Sequence, residues 1–423
     1  MLVGIRVKNY FKDWKNTLTF IFLFFLACSG FFLRIRNLGY LSFWGDDGHT
    51  FVGTMSILEH GYPLLPSGHI LFHGILGYYL NVIPVLIFGA NEFALRITNV
   101  FFGVFIIILV YFVGKEIVKY KVRGFGQVII TFSTWYIQFS REARYFAALQ
   151  FFYLLTFYFF YKGFVKKERP FRVLAAVFMV LTPLVHGNGF FLILLFILLL
   201  FYLGKKFFKK EVMVPLAVVV FLDLLQILNQ VFFWKVGRSF YYSGGSFLSV
   251  LKSYLRRFDP YYFKIIRIMF PRMYMICLVG ILIFVCFYIF LTVNKKFKFS
   301  QLFLKENEIK TGKIIIPYNM FTLYLTFAGT VAIVSMGQMY NQQRYIYFVM
   351  PIFILIFSYI VYLVSIFLAK NIFLGFKKLK VKGFSNEISS IILVAVFITV
   401  SIFTINGINP KEALAIPYIE NSD

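Results

Sequence analysis

Long apolar runs separated by short polar stretches set the plan of this chain. Segments long enough to cross a bilayer, roughly 17–25 residues each, fall at about 17–35, 94–114, 125–140, 146–163, 171–186, 189–204, 212–233, 273–293, 314–336, 345–369 and 388–406. A further apolar stretch, about 69–89, is interrupted by Gly74, Gly77, Asn81 and Pro84. No repeat of 20–50 residues, heptad run or low-complexity tract is present. The pattern predicts an all-α polytopic membrane protein with about 11 transmembrane helices.

Whether 69–89 crosses decides the sidedness of everything after it, and charge answers that question. If it stays on one side, 28 of the 43 basic residues share the side of the N-terminus, in the segments around Lys12, Lys115, Lys166, Lys205, Lys295–Lys313 and Lys370–Lys382. If it crossed, every later basic loop would move to the other side, against the positive-inside rule. We therefore expect 69–89 to be an interfacial or re-entrant part of a long outer loop, 36–93, in a multi-pass plasma-membrane protein with a cytoplasmic N-terminus. The N-terminal run, ending in Phe25-Leu26-Ala27-Cys28, reads better as an uncleaved signal anchor than as a cleaved signal.

Composition agrees. The chain is 60% apolar, 22% aromatic and only 14% charged, which excludes a soluble globular or disordered protein. Its net charge of +26 is mostly topology and does not call for nucleic acid. Cys28, Cys277 and Cys286 fall in apolar runs and read as buried free thiols. The expected organisation is a module over 1–235, followed by a basic outer loop, 234–272, and C-terminal helices of the same membrane domain over 236–423.

The outer face gathers the candidate chemistry. All five His residues lie there, as do adjacent Asp46 and Asp47 in Phe43-Trp44-Gly45-Asp46-Asp47-Gly48-His49. Acids where a helix surfaces are costly unless solvated or used. A carboxylate there can take a proton or bind a metal, or it can cap a helix starting near Gly48. Ser140-Arg141-Glu142-Ala143-Arg144-Tyr145 and Asn341-Gln342-Gln343-Arg344-Tyr345 offer guanidinium groups to an anionic head group, or to ordinary lipid phosphates. His69 and His73 are four residues apart, but Ile70 stands where a zincin needs Glu. In 234–272, eight basic residues accompany apolar positions at helical spacing, suiting an amphipathic surface helix or a cover over the site, with Ser243-Gly244-Gly245-Ser246 as hinge. Asp223, Gln226 and Gln230 make a polar stripe in one span, read as helix–helix hydrogen bonding or cavity lining.

In these residues the chain resembles the polyprenyl-phosphate-dependent glycosyltransferases of GT-C type, related to protein O-mannosyltransferases and lipid A aminoarabinose transferases. Trp44-Gly45-Asp46-Asp47 matches their first-loop aromatic-x-Asp-Glu/Asp motif. Phe88-Gly89 with Ala94-Leu95-Arg96, then Ser140-Arg141-Glu142-Ala143-Arg144-Tyr145, then Arg344-Tyr345 with Pro351 follow in the family's order. The chain departs from the pattern at Asp47, where Glu is commoner, and at Gly68-His69, where the family has a Lys-Pro or Pro-Pro pair.

The resemblance implies a GT-C-like first outer loop and a polyprenyl-phosphate-linked sugar donor in the bilayer. It implies inverting transfer to a lipid, protein or polysaccharide hydroxyl. It places Asp46 as general base with Asp47 as close second, and Glu142 as second acid orienting acceptor or metal. Arg144 and Arg344, with Arg141 and Arg96 behind them, would bind the carrier phosphate or acceptor beside Tyr145, Tyr345 and His69. No cofactor is expected, a divalent metal being the lesser alternative. A lipid-linked saccharide flippase and a polysaccharide polymerase are the rivals. One mid-membrane acid and no internal repeat count against a transporter, and no Walker-type loop is present for an ATP-driven pump.

Overall fold

The computed structural model describes residues 14–68, 70–118, 123–237, 261–280, 282, 323, 326–332, 343–378 and 394–401. Among them the architecture is helical, with one isolated antiparallel bridge between Leu64 and Ile70. The helices are α1 (Trp14–Ile35), α2 (Asp46–His60), α3 (Ile75–Phe88), α4 (Glu92–Val113), α5 (Arg123–Phe132) and α6 (Thr134–Phe139). They continue as α7 (Phe146–Phe160), α8 (Arg169–Val185), α9 (Leu194–Leu203), α10 (Lys210–Gly237), α11 (Tyr261–Met269) and α12 (Met350–Lys378).

Five helical stretches are long and apolar enough to span: Thr17–Ile35, Glu92–Glu116, Phe146–Val165, Lys210–Asn229 and Arg344–Tyr362. The protein is thus a multi-pass membrane protein. The sequence count of about 11 spans exceeds these five, because much of 238–342 and 379–423 lies outside the described residues and several described helices are short. The expected span 125–140 is two helices, α5 and α6, broken at the extended residue Ser133. At this break Arg34, wholly buried in α1, donates to the carbonyls of Ile130 (2.9 Å) and Thr131 (3.4 Å), which end α5. A guanidinium fork supplies donors to an interrupted ladder in a place water does not reach.

Burial separates central from peripheral helices. The apolar window at the start of α12 is 89% buried, whereas those of α1 and α10 are 17% and 11% buried. Phe20, Phe24 and Phe25 on α1 and Phe221, Leu224 and Leu228 on α10 are exposed, as suits helices whose solvent is hydrocarbon. Cys28 is also exposed, contrary to the sequence reading, because it lies on an outer helix; Cys277 is buried, and Cys286 is outside the described residues. One core cluster runs from Leu26 through Ile107, Tyr136, Phe157 and Phe353, joining α1, α4, α6, α7 and α12.

The helix α3 has 14 residues, about 21 Å, too short for the roughly 30 Å hydrocarbon core. Both its ends are held near the same end of the bundle. Gly74, which begins it at φ +77°, lies so close to Tyr145 that a Cβ would come within 2.7 Å of the ring. At its far end Asn91 caps α4, its Oδ1 accepting from Ala94 N–H at 2.9 Å. The opposite end of the bundle carries Lys115, Lys162, Lys166, Lys205 and Lys206, with ion pairs Lys166–Glu116 and Lys162–Glu168. Of the basic segments that the sequence grouped on one side, those around Lys115, Lys166 and Lys205 thus sit together among the described residues.

Candidate active site

The site end is where α1 finishes, α2 and α4 begin, α6 turns into α7, α8 finishes and α12 is approached. Two arginines fix its backbone. Arg141, in the α6–α7 turn, donates to the carbonyls of Arg34 (2.7 Å), Arg36 (2.7 Å), Asn37 (3.3 Å) and Leu33 (3.5 Å). It thereby caps the C-terminus of α1, where unpaired carbonyls and the helix dipole both favour a cation. Burial, then the neighbouring Arg96, Arg34 and Arg36 charges, bring its pKa down to about 10, so it stays charged at neutral pH.

Arg96, on the first turns of α4, donates to the carbonyls of Leu38 (3.1 Å), Leu41 (2.6 Å) and Ser42 (3.0 Å) and to Asp47 Oδ2 (3.1 Å). The sequence offered Arg96 and Arg141 to a carrier phosphate or acceptor; in the structure the Arg141 fork serves carbonyls at the end of α1 and the Arg96 fork serves those leading to Asp46 and Asp47. Asp47 is only 7% exposed. Its Oδ1 accepts the N–H of Ala143 at 3.1 Å, so it binds α2 to both α4 and the α6–α7 turn. Burial pushes its carboxyl above the ordinary range, and Arg96, the Ala143 N–H and Arg144 pull back against that shift. The expected cap is absent in this form: α2 starts at Asp46, Gly45 is its N-cap without a side-chain bond, and Asp47 reaches away from its own helix. The backbone of Asp46 opens α2 immediately before this node; its side chain is outside the described residues.

Asn99, three residues after Arg96 on the same helix, donates through Nδ2 to the carbonyls of Glu142 and Arg144. It holds open the turn that presents both side chains. Asn99 was missed from the sequence, although its spacing from Arg96 puts the two on one face of α4. The guanidinium carbon of Arg144 lies 4.8 Å from the Tyr145 ring centroid.

Arg344 comes from 200 residues further along, and two buried amides place it. Asn188 donates to the Tyr345 carbonyl (3.3 Å) and Gln150 to that of Tyr347, docking the 3-10 segment Gln343–Val349 against α7 and the end of α8. The Arg344 guanidinium lies 5.6 Å from the Phe146 ring and 5.8 Å from that of Tyr345. Between the two arginines stand His73, His186 and Tyr145. His73 Nε2 lies 3.1 Å from Tyr145 Oη, and the two imidazoles meet edge to face at 4.6 Å.

The structure therefore brings together Asp47, Glu142, Arg144, Tyr145, Arg344 and Tyr345. His69, Ser243–Ser246 and most of the 234–272 loop lie outside the described residues. A small cleft near this node is lined by polar Thr50, Asn81, Thr98 and Asn99 together with Phe102 and Tyr145. Among the described residues no three His, Cys, Asp or Glu side chains gather into a metal cluster.

Residues 67–243 match the family model described as dolichyl-phosphate-mannose-protein mannosyltransferase. Over that segment the chain is similar to the protein mannosyltransferase family. The family resemblance is thereby borne out, and of its motifs Phe88–Arg96 and Ser140–Tyr145 lie within the matched segment. No curated protein sequence matches the chain significantly. Among solved structures, ArnT from Cupriavidus metallidurans bound to undecaprenyl phosphate is similar, with a TM-score of 0.58 at 12% identity, covering 95% of this chain and 77% of that one. The Archaeoglobus fulgidus oligosaccharyltransferase in its apo form has a TM-score of 0.57 at 15% identity, covering 94% of this chain and 56% of that one. The chain thus spans about half the length of the oligosaccharyltransferase it matches. At these identities what is shared is the helical fold.

Proposed function

We propose that the protein is a membrane glycosyltransferase. It moves a sugar from a polyprenyl-phosphate donor to an acceptor hydroxyl, with inversion, at an active site on the outer face of the plasma membrane. The observation that carries this reading is the bond from Ala143 N–H to Asp47 Oδ1. It ties the acidic turn to the turn that presents Glu142 and Arg144, which supports a reading with base and phosphate-binding groups on adjoining turns.

Asp47 is committed to Arg96 and Ala143, which leaves Asp46 as the base that takes the proton from the acceptor hydroxyl. Oxygen then attacks the anomeric carbon as the bond to the carrier phosphate breaks. Arg144 and Arg344 stabilise the charge gathering on the leaving phosphate; fixed cations of this kind are usually the largest catalytic contribution. Glu142, on the same turn as Arg144, orients the acceptor. Arg96 and Arg141 act as positioning residues. The hydroxyl and amide groups of Thr50, Thr98 and Asn81 suit sugar hydroxyls, and the exposed apolar helices suit the polyprenyl tail.

The family match over 67–243 supports this donor class. The ArnT structure was solved with undecaprenyl phosphate, which makes that carrier the first to try. The test uses full-length protein in nanodiscs with a panel of polyprenyl-phosphate sugars, with and without chelator. Asp46→Asn should abolish transfer. Unchanged activity in that variant would remove Asp46 as base, and lipid-linked saccharide flipping without transfer would favour the transporter. A reporter inserted near residue 91 should read as extracytoplasmic; a cytoplasmic signal would reverse the orientation.

A further inference from the structure

Four basic side chains from four separate pieces of chain converge at the site end. His73 comes from just before α3, Arg144 from the α6–α7 turn, His186 from the residue after α8, and Arg344 from the approach to α12. Among the described residues Tyr145 and Tyr345 are the other titratable groups facing the imidazoles, with ring centroids 4.9 Å and 6.3 Å from that of His186. The charges of His73, Arg144 and Arg344 all act on His186.

The two imidazoles differ in access. His186 is 4% exposed, and its Nδ1 accepts the N–H of Asn188 at 3.0 Å, so in its neutral form the proton sits on Nε2. It is a fixed wall. His73 is only partly buried, held edge to face against His186 at 4.6 Å and joined to Tyr145 Oη through Nε2. A protonated His73 brings a charge that two permanently charged guanidiniums cannot adjust.

The ligand has a matching property. A sugar-loaded carrier is a phosphodiester with one negative charge. After transfer the carrier is a phosphomonoester whose second ionisation lies at about 6, close to imidazole at about 6.5. We infer that His73, positioned by His186 and Tyr145, contacts the carrier phosphate and supplies the proton that pairs with the second charge of the monoester product. This rests on the carrier-phosphate reading above and adds its regulation. Binding the dianionic product then stabilises the imidazolium and takes up a proton. Affinity for the monoester falls as pH rises past the imidazole range, favouring product release at higher pH.

The test is binding of a short-chain polyprenyl monophosphate to full-length protein in nanodiscs, between about pH 6 and pH 8. Wild-type affinity should fall roughly ten-fold across this range. His73→Gln should bind more weakly and flatten the dependence to less than about two-fold. His73→Lys should restore tight binding with a flat profile, because an ammonium keeps its charge throughout. The ligand's own ionisation is common to all three proteins, so differences in slope report on residue 73. A flat wild-type profile, or the wild-type slope retained in His73→Gln, overturns the inference alone. No binding of the monophosphate at any pH overturns the carrier reading as well. Thermal unfolding of both variants separates lost folding from lost affinity, and the Lys variant supplies a second readout.

Discussion

Asp47 and Arg96 form a buried ion pair at 3.1 Å, with side chains 9% and 7% exposed. The pair joins α2 to α4, while the other carboxylate oxygen reaches the turn beyond α6. Removing one partner leaves the other buried without its counter-charge, which typically costs about 3–5 kcal/mol. Asp47→Ala should therefore lower the thermal unfolding midpoint sharply in detergent. The Asp47→Ala, Arg96→Leu double variant should lose less than the sum of the singles. Strict additivity would show that the pair is not coupled.

The same carboxyl gives a pH dependence. Its folded pKa lies above the ordinary value of 3.8, raised by burial against the pull of Arg96. The folded protein therefore holds this proton to higher pH than the unfolded chain does. The stability it contributes is greatest below the unfolded value, declines as pH rises through the window up to the folded value, and is flat above it. Unfolding midpoints of wild type and Asp47→Asn, compared from about pH 4 upward, should differ by this decline. Parallel profiles would contradict it.

Arginines from one turn should divide by phenotype. Arg141 serves four carbonyls at the end of α1, so Arg141→Lys should reduce folding yield and thermal stability, because an ammonium cannot span them. Arg144→Ala should leave the midpoint within about 1 kcal/mol of wild type. It should lower kcat by roughly 100-fold through lost charge stabilisation. Steady-state kinetics beside an unfolding curve distinguishes the two; equal phenotypes would defeat the assignment.

Gly103 allows α4 to approach the α6 end. A Cβ there would come within 2.7 Å of Ser140 Cβ and 2.9 Å of Arg34 Nε. Gly103→Ala should cost about 1–3 kcal/mol by overpacking. Gly187→Ala, where a Cβ meets nothing within 4 Å, should stay within about 0.5 kcal/mol. Chemical denaturation of both measures the contrast.

The membrane character, the interruption of the apolar stretch 69–89 and the clustering of Asp46–Asp47 with the Ser140–Tyr145 motif could be read from the chain. Apolar run length and basic-residue placement are local quantities. The short α3 and the Lys-rich far end agree with that reading as far as residue 210. The break at Ser133 was hidden, because α5 and α6 are apolar on both sides of it and the compensating Arg34 lies about a hundred residues earlier.

Residue type alone could not sort the arginines. Arg96, Arg141, Arg144 and Arg344 each carry a guanidinium beside an apolar run, and any of them suits phosphate. Which carbonyls crowd around each one is set by contacts between distant segments. Those contacts turn Arg96 and Arg141 toward the backbone, while Arg144 and Arg344 lie against the rings of Tyr145, Phe146 and Tyr345. His73 and His186 were likewise unconnected in sequence until α3 and α8 placed their rings 4.6 Å apart. The sequence by itself determined the solvent of this protein and the end of the bundle where its candidate site residues gather, because hydropathy and charge act residue by residue. Only the tertiary structure decided which of the polar groups are committed to backbone carbonyls, because a hydrogen-bond donor is committed by its neighbours in space.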